Sequence, residues 1–316
     1  QISDLKVTKE GSTTTSATVL HDLLRKLTSN HDVIFNLKDE NKLNISAENS
    51  KFNLLCLPVD NFPNFSDNFD EGEISLESKA FLSLLKKSRV SMSNDETRHY
   101  LNGIYIHVNE INGKNFLTGV ATDSHRLSSS SMILKNSVVP KSFILPKKTV
   151  FQLCSLLENS LENISVLTSD TKVQFKIGNT KIISKVIDGK FPDYKKVVPK
   201  NNSRILSVNA KDLINSVERV TTVSLDKKEG VKIILDKNNI QLFVNSSTSG
   251  EGKENLRAEY NSEQLTVSFN SRYLLDIASE IEDENIIIKF NDATSPVLIQ
   301  DNSDKNSFYV IMPMKI

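Results

Sequence analysis

The sequence predicts an α+β fold made of repeated modules, each with one amphipathic helix and a small antiparallel sheet. Apolar residues recur at i, i+3, i+4 and i+7 in four separate segments, which is the period of a helix with one buried face. Short runs rich in β-branched residues follow three of these segments and are separated by Asp, Asn, Gly and Ser, as is typical of antiparallel sheet. We therefore expect the helices to cover one face of the sheets.

Five helices are predicted in chain order. A segment around Phe81, Leu84 and Leu85 fits the helical template less fully than the other four. The four complete apolar stripes are Leu20, Leu23, Leu24 and Leu27; Val150, Leu153, Cys154 and Leu157; Ala210, Leu213, Ile214 and Val217; and Leu274, Ile277, Ala278 and Ile281.

Nine strands are predicted, three after each of three helices. The runs that predict them are 33–35, 43–45 and 51–57; 164–167, 173–175 and 181–187; and 286–288, 297–299 and 308–312.

Two Phe-Pro pairs, 62–63 and 191–192, follow the first two sets of strands. Proline is disfavoured in central strands, so these pairs indicate links between domains. The predicted domains are residues 1–71, 72–199 and 200–316. The sequence shows one module before the first Phe-Pro pair, two between the pairs and two after the second. Two modules in each of three domains would make six, so we expect an absent module of roughly 50 to 65 residues before the first.

Composition limits the kinds of partner. The 316 residues include 39 basic and 39 acidic side chains, so no bulk positive charge is available for binding DNA by phosphate neutralisation alone. Contact with nucleic acid would have to be local or topological. Cys56 and Cys154 lie in apolar runs without metal-ligand spacing, which indicates buried thiols and a reducing cytoplasm. No apolar run approaches the ~18–20 residues of a membrane span, so we expect a cytoplasmic protein without a membrane partner.

Three segments carry a resemblance to a known family. They are Val-Ala-Thr-Asp-Ser-His-Arg-Leu at 120–127, Phe-Pro-Asp-Tyr at 191–194 and Tyr-Val-Ile-Met-Pro-Met-Lys-Ile at 309–316. In this order and spacing they resemble the signature segments of the bacterial DNA polymerase III beta subunits, the sliding clamps. The resemblance implies a DNA-clamp fold with sheets outside and helices inside. It also implies a head-to-tail homodimeric ring around double-stranded DNA and a non-enzymatic processivity factor that needs no cofactor or metal.

The same resemblance implies a hydrophobic pocket between the second and third domains. It would receive short linear peptides from the replicative polymerase catalytic subunit, the clamp loader, translesion polymerases and repair proteins. Flexible methionines around a rigid proline suit a surface that serves many partners, and Arg126 and Lys196 would hold polar parts of the peptide at the rim. The implied pocket residues are Leu101, Thr122, His125, Arg126, Leu127, Pro192, Lys196, Val197, Asn270, Tyr273, Val310, Ile311, Met312, Pro313 and Met314.

Three positions depart from the family pattern. Ser124 stands where glycine is common, so a residue with a side chain must accept the backbone geometry of this turn. Lys315 and Ile316 stand where arginine and leucine are common, which removes a bidentate fork and is expected to shift peptide preference.

Two further surfaces are implied by the resemblance. Phe52 and Leu54 match positions at the dimer contact, opposite Thr222 and Val223. Their strand, residues 51–57, carries apolar residues on both faces, which either coverage by another subunit or ordinary burial of both faces would explain equally. Basic residues on or beside the helices would face DNA if the helices line a ring, and would otherwise be ordinary solvated charges. They are Arg25, Lys26, Lys79, Lys86, Lys87, Arg89, Lys147, Lys148, Lys211, Arg219 and Arg272.

Two other functions stay open from the sequence alone. One is a structural repeat protein without a DNA role. The other is a hydrolase built on Asp123 and His125 with Ser124, although three adjacent residues are poorly placed to converge as a triad. The competing interpretation of these residues is a tight turn in which Asp123 and Ser124 bond their own backbone.

Overall fold

A computed structural model of the chain describes residues 5–27, 32–39, 41–62, 69, 72–135, 140–224 and 230–314. The predicted departures at Lys315 and Ile316, and Pro63 of the first Phe-Pro pair, lie outside the described residues. The chain divides into two compact units, residues 1–68 and 69–316. The predicted division near residue 200 lies inside the second unit and stays a prediction.

The first unit is one helix on a four-stranded antiparallel sheet with strand order β1-β4-β3-β2. Ser16 caps the helix by accepting from the Val19 backbone N–H. Leu20 and Leu23 of the helix pack on a small core of Leu43, Ile45 and Cys56. The elements are β1 (Thr14–Thr15), α1 (Ala17–Lys26), β2 (Ile34–Asp39), β3 (Lys42–Ala47) and β4 (Ser50–Leu57).

Within its described residues, the second unit contains four helix-and-sheet modules. Its first half comprises β5 (Ile74–Leu76), α2 (Ser78–Arg89), β6 (Gly103–Ile111), β7 (Lys114–Thr122), β8 (Arg126–Ile133), β9 (Phe143–Pro146), α3 (Lys147–Leu157), β10 (Ile164–Thr168), β11 (Lys172–Ile177) and β12 (Thr180–Lys185). Its second half comprises β13 (Arg204–Asn209), α4 (Ala210–Thr221), β14 (Gly230–Asp236), β15 (Asn239–Ser246), β16 (Gly250–Arg257), β17 (Glu259–Tyr260), β18 (Leu265–Asn270), α5 (Ser271–Ala278), β19 (Asn285–Phe290), β20 (Val297–Asp301) and β21 (Ser307–Ile311).

The predicted fold class is confirmed. All five predicted helices form, although Leu27 and Ile281 lie past the ends of α1 and α5, and all nine predicted strands are present. Every strand pair that the structure describes is antiparallel. The predicted buried thiols are confirmed too, since Cys56 and Cys154 are both free and buried.

Neighbouring modules in the second unit exchange their leading strands. Strand β5 precedes α2 but pairs with β10, whereas β9 precedes α3 but pairs with β6. Strands β13 and β18 are exchanged in the same way, with β19 and β14 respectively. Because of this exchange, two modules share one core, in which Phe81 of α2 stacks on Phe175 of β11 with ring centroids 6.1 Å apart.

A continuous nine-stranded sheet joins the two halves of the second unit. Its order is β17-β13-β19-β20-β21-β8-β7-β6-β9. The joining pair is β21 with β8, in which Val310 lies opposite Leu127 and Ile311 opposite Arg126. This pair brings the 120–127 segment and the 309–314 segment side by side.

None of the helices within the described ranges is long and apolar enough to cross a membrane.

Candidate functional site

The turn between β7 and β8 is closed by its own side chains. The Asp123 carboxylate accepts hydrogen bonds from the backbone N–H groups of His125 (2.9 Å) and Arg126 (3.0 Å). The Thr122 hydroxyl donates to the Arg126 carbonyl at 2.7 Å. Asp side chains commonly close turns in this way. The turn interpretation of Asp123 is confirmed, and these bonds fix the directions in which His125 and Arg126 project.

The side chains of Asp123, Ser124 and His125 are not joined in series by any hydrogen bond that the structure describes. Asp123 Oδ2 accepts from Arg126 Nε at 3.1 Å, and Ser124 Oγ accepts from Arg98 Nη1 at 2.6 Å. A triad requires the nucleophile to bond to the base and the base to bond to the acid. The turn geometry therefore does not support the hydrolase alternative.

Ser124 adopts the left-handed backbone conformation, with φ at +79°. This is the geometry that glycine tolerates and that costs an L-residue about 1–2 kcal/mol. The bond from Arg98, which is itself paired through Nε with Asp95 Oδ2 at 2.9 Å, holds the serine hydroxyl in place. The turn therefore places a non-glycine residue in a backbone conformation that favours glycine, as expected. The Ser124 side chain also bonds the turn to the segment before Leu101.

Arg126 does not serve as a free cation at the rim, so that prediction was wrong. Its side chain is only 9% exposed because Asp123 and Asp276 both bind it, the latter through Nη1 to Oδ2 at 2.7 Å. Its guanidinium carbon also lies 4.3 Å from the centre of the Tyr273 ring, a cation–π contact. Arg126 instead joins the turn to α5. Asp276 was missed at the sequence level because no local pattern connects it to residue 126.

The start of α5 supplies two of the predicted pocket residues. Asn270 caps the helix, since its Oδ1 accepts from the Tyr273 backbone N–H at 3.2 Å. The Tyr273 ring is half-buried and lies 6.4 Å, centroid to centroid, from the exposed His125 ring. Burial raises the pKa of Tyr273, and the nearby charge of Asp123 raises it further, so the phenol stays neutral. Asn270 therefore positions Tyr273 through the helix cap.

The segment after β21 leaves the sheet and crosses the surface beside this turn. The Met312 backbone N–H donates to the His125 carbonyl at 2.8 Å, and the Met314 N–H donates to the Ser268 carbonyl at 2.7 Å. Met312 and Met314 are 39% and 38% exposed, with Pro313 half-buried between them. Two backbone bonds thus fix a short segment whose thioether side chains face solvent.

Beneath this surface lies a separate apolar cluster, here called the floor cluster. Leu101, Leu127 and Val310 are buried there together with Val120, Ile144, Phe191 and Tyr194. The three predicted pocket residues among them therefore support the surface from below rather than form it. Ile311, on the opposite face of β21, is fully buried in a different core and cannot contact a ligand in this conformation, so its place among the pocket residues was wrongly predicted.

The remaining predicted residues lie on the segment 191–197, here called the wall segment. Pro192 is exposed, the Lys196 side chain is 80% exposed, and Val197 is 51% exposed. Phe191 and Tyr194 of the same segment are buried in the floor cluster. The structure therefore brings the other predicted pocket residues together around one floor, with Lys196 as the exposed cation of the predicted pair.

Lys87 was wrongly predicted to face DNA. It is buried, with its Nζ bonded to Asp304 Oδ2 at 2.7 Å and Glu282 Oε1 at 3.1 Å. Although burial alone would lower the pKa of Lys87, these two carboxylates raise it above its ordinary value. An ion pair between α2 and the loop before β21 therefore occupies the charge that a phosphate contact would need.

The other predicted DNA-facing residues differ in their availability. Lys86 pairs with Glu158 at 2.8 Å, and Arg219 is held by Glu254, with Nε to Oε2 at 3.0 Å. Arg89 and Lys147 lie 5.6 Å and 6.0 Å from the centre of the half-exposed Phe151 ring. The predicted DNA-facing residues that are exposed to solvent are Arg25, Lys26, Lys79, Lys148, Lys211, Arg219 and Arg272.

Strand β4 shows which of its faces is free in the first unit. Phe52 and Leu54 are half-buried and pack against the core of the unit, whereas Leu55 and Leu57 on the other face are 79% and 67% exposed. Burial on both faces, the competing interpretation, is therefore wrong within this unit. In the second unit Thr222 is exposed and Val223 packs partly against the core.

Family models match almost the whole chain. The models of the DNA polymerase III beta subunit match residues 1–66 (N-terminal domain), 75–193 (central domain) and 195–315 (C-terminal domain). Because the N-terminal model matches residues 1–66, the comparisons do not support the expectation of an absent first module.

Individual relatives agree with the family models. The beta sliding clamp of Caulobacter vibrioides strain NA1000 is 35% identical over 97% of this chain and 83% of its own length, and that of Escherichia coli K12 is 31% identical over 97% and 82%. The solved DnaN sliding clamp of Bartonella birtlesii, bound to griselimycin, superposes with a TM-score of 0.94 at 36% identity and covers 99% of this chain and 84% of that one.

The fold and these matches define a DNA clamp. The chain belongs to the DNA polymerase III beta subunit family, the bacterial sliding clamps. It is a non-catalytic processivity factor of DNA replication, with DNA and a polymerase as its partners.

Proposed function

We propose that two copies of this chain join head to tail into a ring around duplex DNA and hold partner proteins at one peptide site per copy. The peptide site is the surface made by Met312, Pro313 and Met314 with His125 and the wall segment. Its partners would be short linear peptides of the replicative polymerase, the clamp loader, translesion polymerases and repair proteins. One observation carries the peptide site: exposed methionines are fixed by backbone hydrogen bonds above a buried apolar floor. The ring is proposed from membership of the sliding-clamp family.

The chemistry of this surface suits an apolar peptide anchor. Thioether side chains are flexible and polarisable, so they repack around different apolar groups. Lys196 lies 3.5 Å from Asp193 Oδ2, but its side chain is 80% exposed and can still meet a peptide at the edge, whereas Arg126 is largely buried between Asp123 and Asp276. We therefore expect the apolar side chains of the peptide to dominate its affinity. Acidic residues of the peptide would add little, because Lys196 is the exposed cation that they could meet at this surface. The ligand-bound Bartonella birtlesii clamp supports ligand binding by a clamp of this fold.

The peptide site can be tested without closing a ring. A fluorescein-labelled peptide from the clamp-binding segment of a bacterial replicative polymerase is titrated with the chain, and anisotropy is recorded. The Met312→Ala, Met314→Ala variant should weaken binding at least about tenfold, since truncated hot-spot anchors cost about 1–2 kcal/mol or more. Leu161→Ala, which truncates an 88% exposed apolar residue elsewhere, is the matched control. Equal affinity of all three proteins would contradict the site assignment.

The ring and its DNA contacts need a different experiment. Overall charge is balanced, so retention on DNA would come from encirclement supported by local cations such as Lys79, Lys148, Lys211 and Arg272. Loaded protein should stay on circular DNA and slide off after linearisation. A structural repeat protein without a DNA role would show no retention on either form. Phe52→Ala with Leu54→Ala alters the proposed dimer contacts opposite Thr222 and Val223 and should convert the dimer to a monomer in sedimentation. Because both side chains also pack on the core of the first unit, the far-ultraviolet circular dichroism of this variant must match that of wild type for the result to count.

A further inference from the structure

The wall segment is held by side chains of one strand. Residues 105, 107 and 109 alternate along β6 and so project from the same face of the sheet. Tyr105 stacks on Phe191 with ring centroids 5.0 Å apart and planes 9° apart. His107 stacks on Tyr105 at 4.8 Å, and its Nε2 lies 3.1 Å from the Tyr194 hydroxyl. These four rings, here called the ring stack, are extended by Lys195 Nζ, which donates to Asn109 Oδ1 at 3.2 Å.

The ring stack carries most of the attachment that the structure describes for the wall segment. The backbone bonds of residues 192–197 are local: Lys196 N–H donates to the Asp193 carbonyl at 3.3 Å, and Val197 N–H to the Tyr194 carbonyl at 3.1 Å. Those bonds shape a short 3₁₀ helix, Tyr194–Lys196, but they do not join it to the sheet. Position relative to the floor is therefore set by the buried side chains of Phe191 and Tyr194.

We infer that His107 is a positioning residue for the peptide site: it holds Tyr194, and through Tyr194 it fixes Pro192, Lys196 and Val197 beside the methionines. The inference rests on the proposed peptide-binding function and adds a residue that does not itself contact the peptide. His107 is buried, and its one polar side-chain partner among the described contacts is the Tyr194 hydroxyl. Nothing in the local sequence marks this role, because His107 and Tyr194 are 87 positions apart.

The same contact makes the wall segment sensitive to acid. Burial lowers the pKa of His107 below its ordinary value of 6.5, a hydrogen bond to the Val108 backbone opposes this effect, and the positive charge of Lys195 lowers the pKa further. Because the pKa of His107 is lowered, the contact that attaches the wall segment contributes its full stability above pH 6.5, where the imidazole is neutral. This stability is lost as pH falls through the lowered pKa. The groups that face His107 are Tyr105 and Asn109 of β6, Thr118 of β7, and Tyr194 and Lys195 of the wall segment.

Peptide titrations with three variants test this inference. His107→Ala removes the hydrogen bond to the Tyr194 hydroxyl, and Tyr194→Phe removes it together with the hydrogen bond between Tyr194 and Asn109. Each variant should weaken peptide binding roughly five- to tenfold at neutral pH. His107→Gln keeps a hydrogen-bonding side chain that does not titrate, so it should bind within about twofold of wild type at neutral pH. Between about pH 8 and pH 5 the wild type should lose affinity, and His107→Gln should lose less. Equal acid sensitivity in both proteins, or unchanged affinity of His107→Ala, would overturn the inference.

Amide hydrogen exchange separates this inference from the proposed function. Residues 191–198 should exchange faster in His107→Ala than in wild type, with no change in β15, which lies in another sheet. If the wild type binds no peptide, the proposed function fails, and exchange alone then decides whether His107 positions the wall segment. Unchanged exchange in residues 191–198 would overturn the positioning role whatever the peptide result.

Discussion

Replacing Lys87 with methionine tests the ion pair between α2 and the loop before β21. Methionine keeps most of the length of the side chain and removes the charge, leaving Asp304 without its cation. Removing one partner of a buried ion pair costs about 3–5 kcal/mol. Asp304 would still accept from the Ser307 hydroxyl at 2.6 Å and the Asn306 N–H at 3.0 Å. The side chain of Glu282 is 67% exposed and adds little, so we expect a loss near the low end, about 3 kcal/mol.

The assay is thermal unfolding followed by far-ultraviolet circular dichroism, because the chain has no tryptophan. A loss of about 3 kcal/mol should lower the Tm by about 6–12 °C in a unit of this size. The control is Lys79→Met, which removes an exposed charge from the same helix and should stay within about 0.5 kcal/mol of wild type. A Lys87→Met protein within about 1 kcal/mol of wild type would refute the reasoning.

The pH dependence of this difference supplies a second test. Burial alone would raise the pKa of Asp304, but hydrogen bonds from Lys87 and Ser307 and the charge of Lys87 hold it below its ordinary value. A lowered carboxyl pKa contributes stability above the ordinary value, and this contribution is lost as pH falls through the lowered pKa. The gap between wild type and Lys87→Met should therefore narrow below about pH 4.

Three further substitutions have defined outcomes. Ser124→Gly relieves the left-handed backbone strain but loses the Arg98 bond, so thermal melts should show a gain of up to about 1 kcal/mol; a clear loss would contradict the strain argument. Gly103→Ala would press a methyl carbon into the Leu145 carbonyl oxygen and should cost about 2 kcal/mol or more in the same melts, whereas Gly11→Ala meets nothing within 4 Å and should be neutral. Phe81→Ala should cost about 3–5 kcal/mol in urea unfolding because the ring is buried, and Phe151→Ala, on a 47% exposed ring, should cost far less.

Helices were predictable because each carries a local apolar period. The stripe of Val150, Leu153, Cys154 and Leu157 is buried along its full length, so sequence spacing and burial agree. The strands after α2 and α4 were not predicted. Strand β8 places four serines in succession, which shows no alternation, and β16 contains two glycines and several charges. Their strand character comes from neighbouring strands, which a local pattern does not report.

The sequence predicted which residues lie near one another at the candidate site, but not the contacts that they make. Most residues named from the resemblance do gather around one floor, yet Arg126 is neutralised by Asp276, 150 positions away. Lys87 looked like a helix-surface cation because its partner Asp304 is 217 positions distant. Ion pairing of this kind depends on which modules become neighbours, and the exchange of leading strands has no signal in a single stripe or strand.

Pairing of β8 with β21 also sets an order of events in synthesis. Most of the chain after β8 separates these two strands, so β8 has an open edge until β21 has been made and has reached it. An open edge is a site for pairing with the wrong chain. Three of the five β8 residues that pair with β21 are serines, Ser128, Ser129 and Ser130, and the Ser130 hydroxyl accepts a hydrogen bond from Ser307. Small hydroxyl side chains offer little apolar surface to another unfolded chain. The serines of β8 should therefore reduce aggregation of the protein before β21 has paired with this edge.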